Sequence, residues 1–236
     1  IMEQTIQKIT VWGDSILKGV ALGEDGKYHV LENNCGALFS QKNSIQLTNR
    51  SRFGCTSVKG RSIVHADLAK GVQADAVLIE YGGNDCNFDW GKISEAPDET
   101  HLPVTPMAQF MNEMQLMIDE IRQNGLKPLL MTLPPLDYRR FFKTICRGQN
   151  ARNILHWLGN AFAIYRWQEN YSDAIAELAI RNQCELIDVR GAFLTTKNYE
   201  SMICDDGMHP NEKGHRLMAE VFDDFLRCHA QTELAV

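Results

Sequence analysis

Apolar positions along this chain fall into two alternating rhythms. Short apolar runs at residues 9–12, 44–49, 76–81, 128–133 and 184–189 have the length of strands. Run 44–49 alternates with period two, and 76–81 is almost continuously apolar, as a strand buried on both faces should be. Between the runs, apolar residues recur every three or four positions. Val58, Ile63, Val64 and Leu68 space like one helix face, and Met107, Phe110, Met111, Met114, Met117, Ile118 and Ile121 like a longer one. The pattern predicts Thr105 as cap of that longer helix, Pro106 at its first position and Asn124-Gly125 at its close. Its methionine stripe reads as core packing. Residues 16–20 start a short helix, Gly23-Glu24-Asp25-Gly26 make a polar turn, 28–31 form a short strand or loop, and 35–41 a helical turn or more. Residues 86–103 and 199–206 read as loops and 174–182 as helix. Leu217, Met218, Val221, Phe222 and Phe225 mark a last amphipathic helix opened by Pro210. This alternation predicts an α/β fold: one domain over residues 1–236, with a parallel sheet between helices on both faces.

One segment breaks the rhythm. Residues 136–170 hold Arg139, Arg140, Lys143, Arg147, Arg152 and Arg166 against only Asp137 and Glu169, interleaved with Tyr138, Phe141, Phe142, Trp157, Phe162, Tyr165 and Trp167. The segment follows the fourth strand and so emerges at the carboxyl ends of the strands, where open α/β sheets bind ligands. Two readings stand side by side: a packed excursion with solvated arginines, or a wall or lid whose arginines favour an acidic or sugar-bearing substrate. Self-association is the other use of such aromatics and leaves a homo-oligomer open.

Composition narrows the partners. At 236 residues the chain can bury a full core. A net charge of -6 argues against nucleic acid, which needs a basic face. No apolar run approaches the roughly 20 residues of a membrane span. Seven cysteines, an odd number without a C-x-x-C pair, favour free thiols in a reducing cytoplasm over a disulfide frame or a metal site. The start, Ile1 ahead of Met2 and a polar stretch to Lys8, lacks a signal peptide's apolar segment. Ile1 before Met2 fits a tag remnant, with a leader already removed left open.

The strand tips carry candidate chemistry. The first run ends in Gly13-Asp14-Ser15, the second leads to Gly54, and the third ends in Gly82-Gly83-Asn84-Asp85. Far downstream comes Asp206-Gly207-Met208-His209. A serine becomes a nucleophile when a histidine accepts its proton and a carboxylate orients that histidine. The developing oxyanion also needs donors already aimed at it. Three-residue spacing lets one tight turn bring Asp206 onto the far nitrogen of His209, and Pro210 disfavours a helical conformation there.

Taken in order, these blocks resemble the GDSL-type esterases, or SGNH hydrolases. Gly13-Asp14-Ser15 looks like the first block, Gly54-Cys55-Thr56 the second, Gly82-Gly83-Asn84-Asp85 the third and Asp206-Gly207-Met208-His209 the fifth. His209-Pro210-Asn211 and Gly214 continue as family members often do; Ile16 stands where the name has leucine. The resemblance implies a flavodoxin-like three-layer fold with a five-stranded sheet and no cofactor. It implies Ser15 as nucleophile, His209 as general base and then acid, and Asp206 as its orienter. The oxyanion hole would be the Ser15 and Gly54 backbone N–H groups with the Asn84 side chain.

Taken singly, each residue has a plainer role: Ser15 a helix cap, Asn84 a turn residue, Gly54 a loop glycine, Asp206 a solvated acid. Jointly, the catalytic reading wins. Asp205 is a rival orienter one residue out of register. Asp14 and Asp85 read as loop-holding acids, His215 as helix surface, and Cys55 and Cys86 as small buried residues. The expected substrate is a small-molecule or carbohydrate ester with a short acyl group, acetyl foremost. Longer acyl chains of lysophospholipids or thioesters, and a non-catalytic binding module, are the alternatives.

Overall fold

The structure, a computed structural model, describes residues 6–234, with side chains through His229; the start read above as a tag remnant lies outside them. Five strands form one parallel sheet: β1 (Lys8–Gly13), β4 (Gln46–Asn49), β5 (Ala76–Glu80), β6 (Pro128–Met131) and β7 (Glu185–Ile187). A two-stranded hairpin, β2 (Val20–Leu22) and β3 (Tyr28–Val30), stands apart. The sheet order is β4-β1-β5-β6-β7. Counted along the chain, that is the flavodoxin order 2-1-3-4-5, whose reversal beside β1 opens the ligand crevice at the strand ends.

Ten α-helices lie among the described residues: α1 (Ser15–Lys18), α2 (Cys35–Asn43), α3 (Ser57–Leu68), α4 (Trp90–Glu95), α5 (Met107–Gln123), α6 (Tyr138–Ile145), α7 (Ala151–Leu158), α8 (Ala163–Asn182), α9 (Val189–Thr195) and α10 (Glu212–Leu234). Period-two geometry sends alternate strand residues to opposite faces. Trp12, Val77, Ile79 and Leu130 pack with Val64, Phe110, Met114 and Ile175 of α3, α5 and α8. Val11, Leu78, Leu129 and Ile187 pack with Phe39, Phe193 and Phe222 of α2, α9 and α10. The methionine stripe is core, since Met114 and Met117 are fully buried. A third cluster caps the carboxyl ends of the strands: Phe88 and Ile93 with Phe141, Ile145, Ile154 and Ile164.

Several expected boundaries move, each for a local reason. Thr105 is not a cap. Its N–H bonds the Asp85 carbonyl at 3.0 Å and its carbonyl accepts from Tyr171 Oη at 2.7 Å; α5 starts at Met107, with Pro106 in the cap position rather than the first helical one and no side chain capping the helix. The loop 86–103 contains α4, capped by Asp89. The excursion 136–170 becomes α6, α7 and the first turns of α8, with Asp137 and Asn150 as caps. Run 184–189 pairs only over Glu185–Ile187, because Asp188 turns to cap α9. Within 199–206, Tyr199–Met202 forms a 3-10 turn. Pro210 pairs with Ile203 in an isolated bridge, and the Asn211 side chain accepts from Lys213 and Gly214, so α10 opens at Glu212. His215 is not surface: it is fully buried, and its Nδ1 accepts the Cys35 N–H at 3.3 Å.

Candidate active site

Ser15 sits at the first position of α1, directly after β1. Asp14 precedes it as cap, and its Oδ1 accepts the Ile16 N–H at 2.8 Å. The turn at Asp206 is wound by its own side chain: Oδ1 accepts the N–H of Met208 at 2.9 Å and of His209 at 3.1 Å. The Cys204 N–H bonds the His209 carbonyl at 2.8 Å and closes the loop. This brings Asp206 Oδ2 to 2.6 Å from His209 Nδ1, and His209 Nε2 to 2.9 Å from Ser15 Oγ. All three residues are buried, whereas Asp205 points to solvent and is not the orienter.

Burial raises the pKa of Asp206, but the His209 hydrogen bond and charge, with two backbone N–H groups, outweigh it and hold the carboxyl below its ordinary range. An ionised Asp206 accepts only, so Nδ1 carries the proton and Nε2 presents its lone pair to the Ser15 hydroxyl. Tyr28 of β3 and Phe53 lie against the imidazole, with ring centroids 5.1 Å and 6.2 Å away, while both stay exposed.

The three candidate oxyanion donors differ in how they are already engaged. Among the described residues, neither the Ser15 nor the Gly54 backbone N–H donates to another protein group. Both hydrogens of Asn84 Nδ2 are engaged, one on Asp14 Oδ2 at 2.9 Å and one on the Cys55 carbonyl at 3.2 Å. Asp85 holds its loop as expected, since its Oδ1 and Oδ2 accept the Ser57 N–H at 3.0 Å. Cys55 and Cys86 are buried, and burial pushes both thiols up, Cys55 to about 11. Among the described residues no three His, Cys, Asp or Glu side chains are grouped to hold a metal ion. No described helix is long and apolar enough to cross a membrane.

Beside this cluster lies a cavity of about 160 Å³ walled by Phe88, Trp90, Phe141, Trp157, Ile164 and Trp167. Ile16, Gly83 and Met208, each next in sequence to Ser15, Asn84 or His209, also line it. The excursion is therefore one of its walls. Arg140 is spent elsewhere: its guanidinium bonds the carbonyls of Glu200 and Ile203 and pairs with Asp137. The pattern did not disclose the cavity, because its lining comes from separate segments that share no periodicity. It did carry one unread signal, an acid at Glu80 inside an otherwise apolar strand. Glu80 is fully buried and borders the cavity.

Fold and site define a class, α/β hydrolytic proteins with a flavodoxin-type sheet and a serine–histidine–aspartate hydrogen-bond chain at the strand ends. The family is narrower. The profile of the GDSL-like Lipase/Acylhydrolase family matches residues 11–217, and the chain belongs to that family. Among curated proteins, none matches the chain. Solved structures of similar fold include a lipase/acylhydrolase from Enterococcus faecalis, 18% identical with a TM-score of 0.68, covering 94% of this chain and 96% of that one. A psychrotrophic esterase from Pseudoalteromonas sp. is 16% identical with a TM-score of 0.61, covering 95% and 99%. An acetyl xylan esterase is 22% identical with a TM-score of 0.61, covering 92% and 98%.

Proposed function

We propose that this chain is a serine esterase that transfers an acyl group from an ester to Ser15 and then to water. The observation that carries the reading is the continuous hydrogen-bond chain from Asp206 through His209 to Ser15. Ser15 Oγ attacks the ester carbonyl while His209 Nε2 takes its proton, and Asp206 stabilises the imidazolium. The tetrahedral oxyanion lies against the Ser15 and Gly54 N–H groups and the Asn84 amide. To receive the third bond it displaces the Cys55 carbonyl, the longer of Asn84's two contacts. Collapse breaks the ester C–O bond, and His209 returns the proton to the departing alkoxide. Water, deprotonated by His209, then attacks acyl-Ser15, and the second collapse releases the acid and the free serine.

The cavity supports an acyl group longer than acetyl. An apolar void of roughly 150 Å³ accommodates a benzene-sized ligand, so a volume of about 160 Å³ suits a six-carbon chain or one aromatic ring. Acetyl, the group favoured from sequence, leaves most of it empty. Removal of acetyl from a carbohydrate is the second reading. It is supported by the exposed faces of Tyr28 and Phe53 beside His209, two rings tilted 53° to each other against which a sugar alcohol can rest.

Hydrolysis of p-nitrophenyl esters from acetate to octanoate, with Ser15→Ala as control, tests both. Ser15-dependent kcat/KM that peaks near hexanoate supports the cavity as acyl pocket. A peak at acetate supports the second reading. Turnover undiminished in Ser15→Ala, whose loss should cost on the order of a million-fold, would overturn the catalytic assignment.

A further inference from the structure

Glu80 is used by nothing in the mechanism above, yet it is the last residue of β5 and fully buried. Its register partner on β1 is Gly13, where an added Cβ would come within 3.0 Å of Glu80 Oε2; glycine there admits the carboxyl into the nucleophile turn. Oε2 also accepts the Asp14 N–H, at 3.3 Å, and Oε1 has no hydrogen-bond partner. Asp14, equally buried, accepts from Ile16 and from Asn84. Among the described residues no lysine, arginine or histidine forms an ion pair with either acid.

Two adjacent buried carboxyls without a cation do not both ionise. The proton stays on the acid whose charged form is less supported. Asp14 has two short N–H bonds and Glu80 one long one, so Asp14 is the carboxylate and Glu80 the neutral acid. Burial, then the Asp14 charge, push Glu80 well above the ordinary range, while burial lifts Asp14 to about 6. The other titratable groups acting here agree. Asp85, in the loop after β5, raises both acids, and the His209 charge lowers Asp14. Cys35 on α2 stays a thiol, pushed to about 12 by burial.

We propose that Glu80 is a positioning residue for the oxyanion hole: as a neutral acid against Asp14, it keeps Asp14 the anionic acceptor that anchors the Asn84 amide. The proposal rests on the serine-esterase reading. The chain runs from Glu80 through Asp14 to Asn84, with one member touching the reacting atoms. Loss of the Glu80 proton at high pH sets two anions against each other beneath Ser15 and loosens that anchor.

The test compares Glu80→Gln and Glu80→Leu on p-nitrophenyl acetate, too short to fill the cavity, from pH 6 to 10, with folding checked by circular dichroism. Glu80→Leu should lower kcat roughly ten- to a hundredfold, the scale of a displaced catalytic group, with KM within about twofold. Glu80→Gln, which keeps a neutral donor but has no proton to lose, should restore most of kcat and remove the alkaline fall of the wild type. In an Asn84→Ala background Glu80→Leu should cost little more, since both act through one amide. Unchanged kcat and pH profile in both variants would overturn the proposal, as would an equal loss from Glu80→Leu with or without Asn84. If Glu80→Leu does not fold, the Glu80→Gln pH profile alone decides. Ser15→Ala separates the two levels: an active Ser15→Ala defeats the esterase reading, whereas an inactive one beside a normal Glu80→Leu defeats only this proposal.

Discussion

Asn84 is the residue on which the oxyanion assignment turns, and its geometry is unusual for a donor in waiting. Both of its amide hydrogens already have acceptors, Asp14 at 2.9 Å and the Cys55 carbonyl at 3.2 Å. A hydrogen bond to an ionised group is roughly twice as strong as one between neutral groups. In the mechanism proposed above, the Asp14 bond is thus the anchor, and the Cys55 bond the one a developing oxyanion would take over. Asn84→Ala should lower kcat roughly a hundred- to a thousandfold, about 3 kcal/mol, and leave KM nearly unchanged, because the bond matters most in the transition state. Steady-state kinetics on one ester checks this. A variant with full kcat would remove Asn84 from the oxyanion hole and leave the two backbone N–H groups as its only donors.

At the scale of elements, the turn carrying Asp206 and His209 is fixed from outside by α6. Asp137, the cap of α6, donates its N–H to the Gly207 carbonyl at 3.0 Å. Gly207 has φ of +77°, and an added Cβ would lie 2.2 Å from the Phe141 nitrogen and 2.5 Å from the Asp137 carbonyl oxygen. Both are backbone atoms that cannot swing aside. Gly207→Ala should therefore cost the roughly 1–2 kcal/mol of a left-handed alanine and more for the displaced helix start. The melting temperature should fall by roughly 4–8 °C, and kcat should fall with it as His209 is pulled off Ser15. An unchanged melting temperature would mean that the turn and α6 are not tightly docked.

The same elements mark where the sequence speaks and where it is silent. β1 and β5 announce themselves because both of their faces are buried, and the motifs at their tips follow at fixed spacing. The Asp206–His209 contact was readable because it is local, closed within one turn. Three-residue β7 and the short α9 were not separable, since Glu185, Ile187 and Val189 keep strand alternation while Asp188 switches to capping. Thr105 looked like a cap because it precedes proline, but its backbone is committed to Asp85 and Tyr171. The cavity depends on aromatics from α4, α6, α7 and α8 and from Phe88 ahead of α4 meeting in space, which no one-dimensional pattern records.

At the scale of the whole molecule, His215 ties α10 to α2 from within the core, through Nδ1 and the Cys35 N–H. Its Nε2 is buried without a partner. Burial, with a smaller contribution from the His209 charge, lowers it from 6.5 to about 4. An unfolded chain therefore binds a proton at this residue between about pH 6.5 and 4 that the folded chain does not. Stability from this source is full above that window and is lost as pH falls through it, by about 3 kcal/mol at most. Asp14 works the other way: raised to about 6, it makes the fold take up a proton first and gain stability as pH falls below 6. The wild-type curve alone thus mixes the two. Subtracting the curve of His215→Gln, whose side-chain carbonyl can still accept the Cys35 N–H, isolates the histidine. Denaturant unfolding at pH 7.5 and pH 4.5 should show the wild type losing about 2 to 3 kcal/mol relative to His215→Gln. A pH-independent difference would mean that the imidazole is protonated inside the fold as readily as outside it, with the α2–α10 interface open to water at His215.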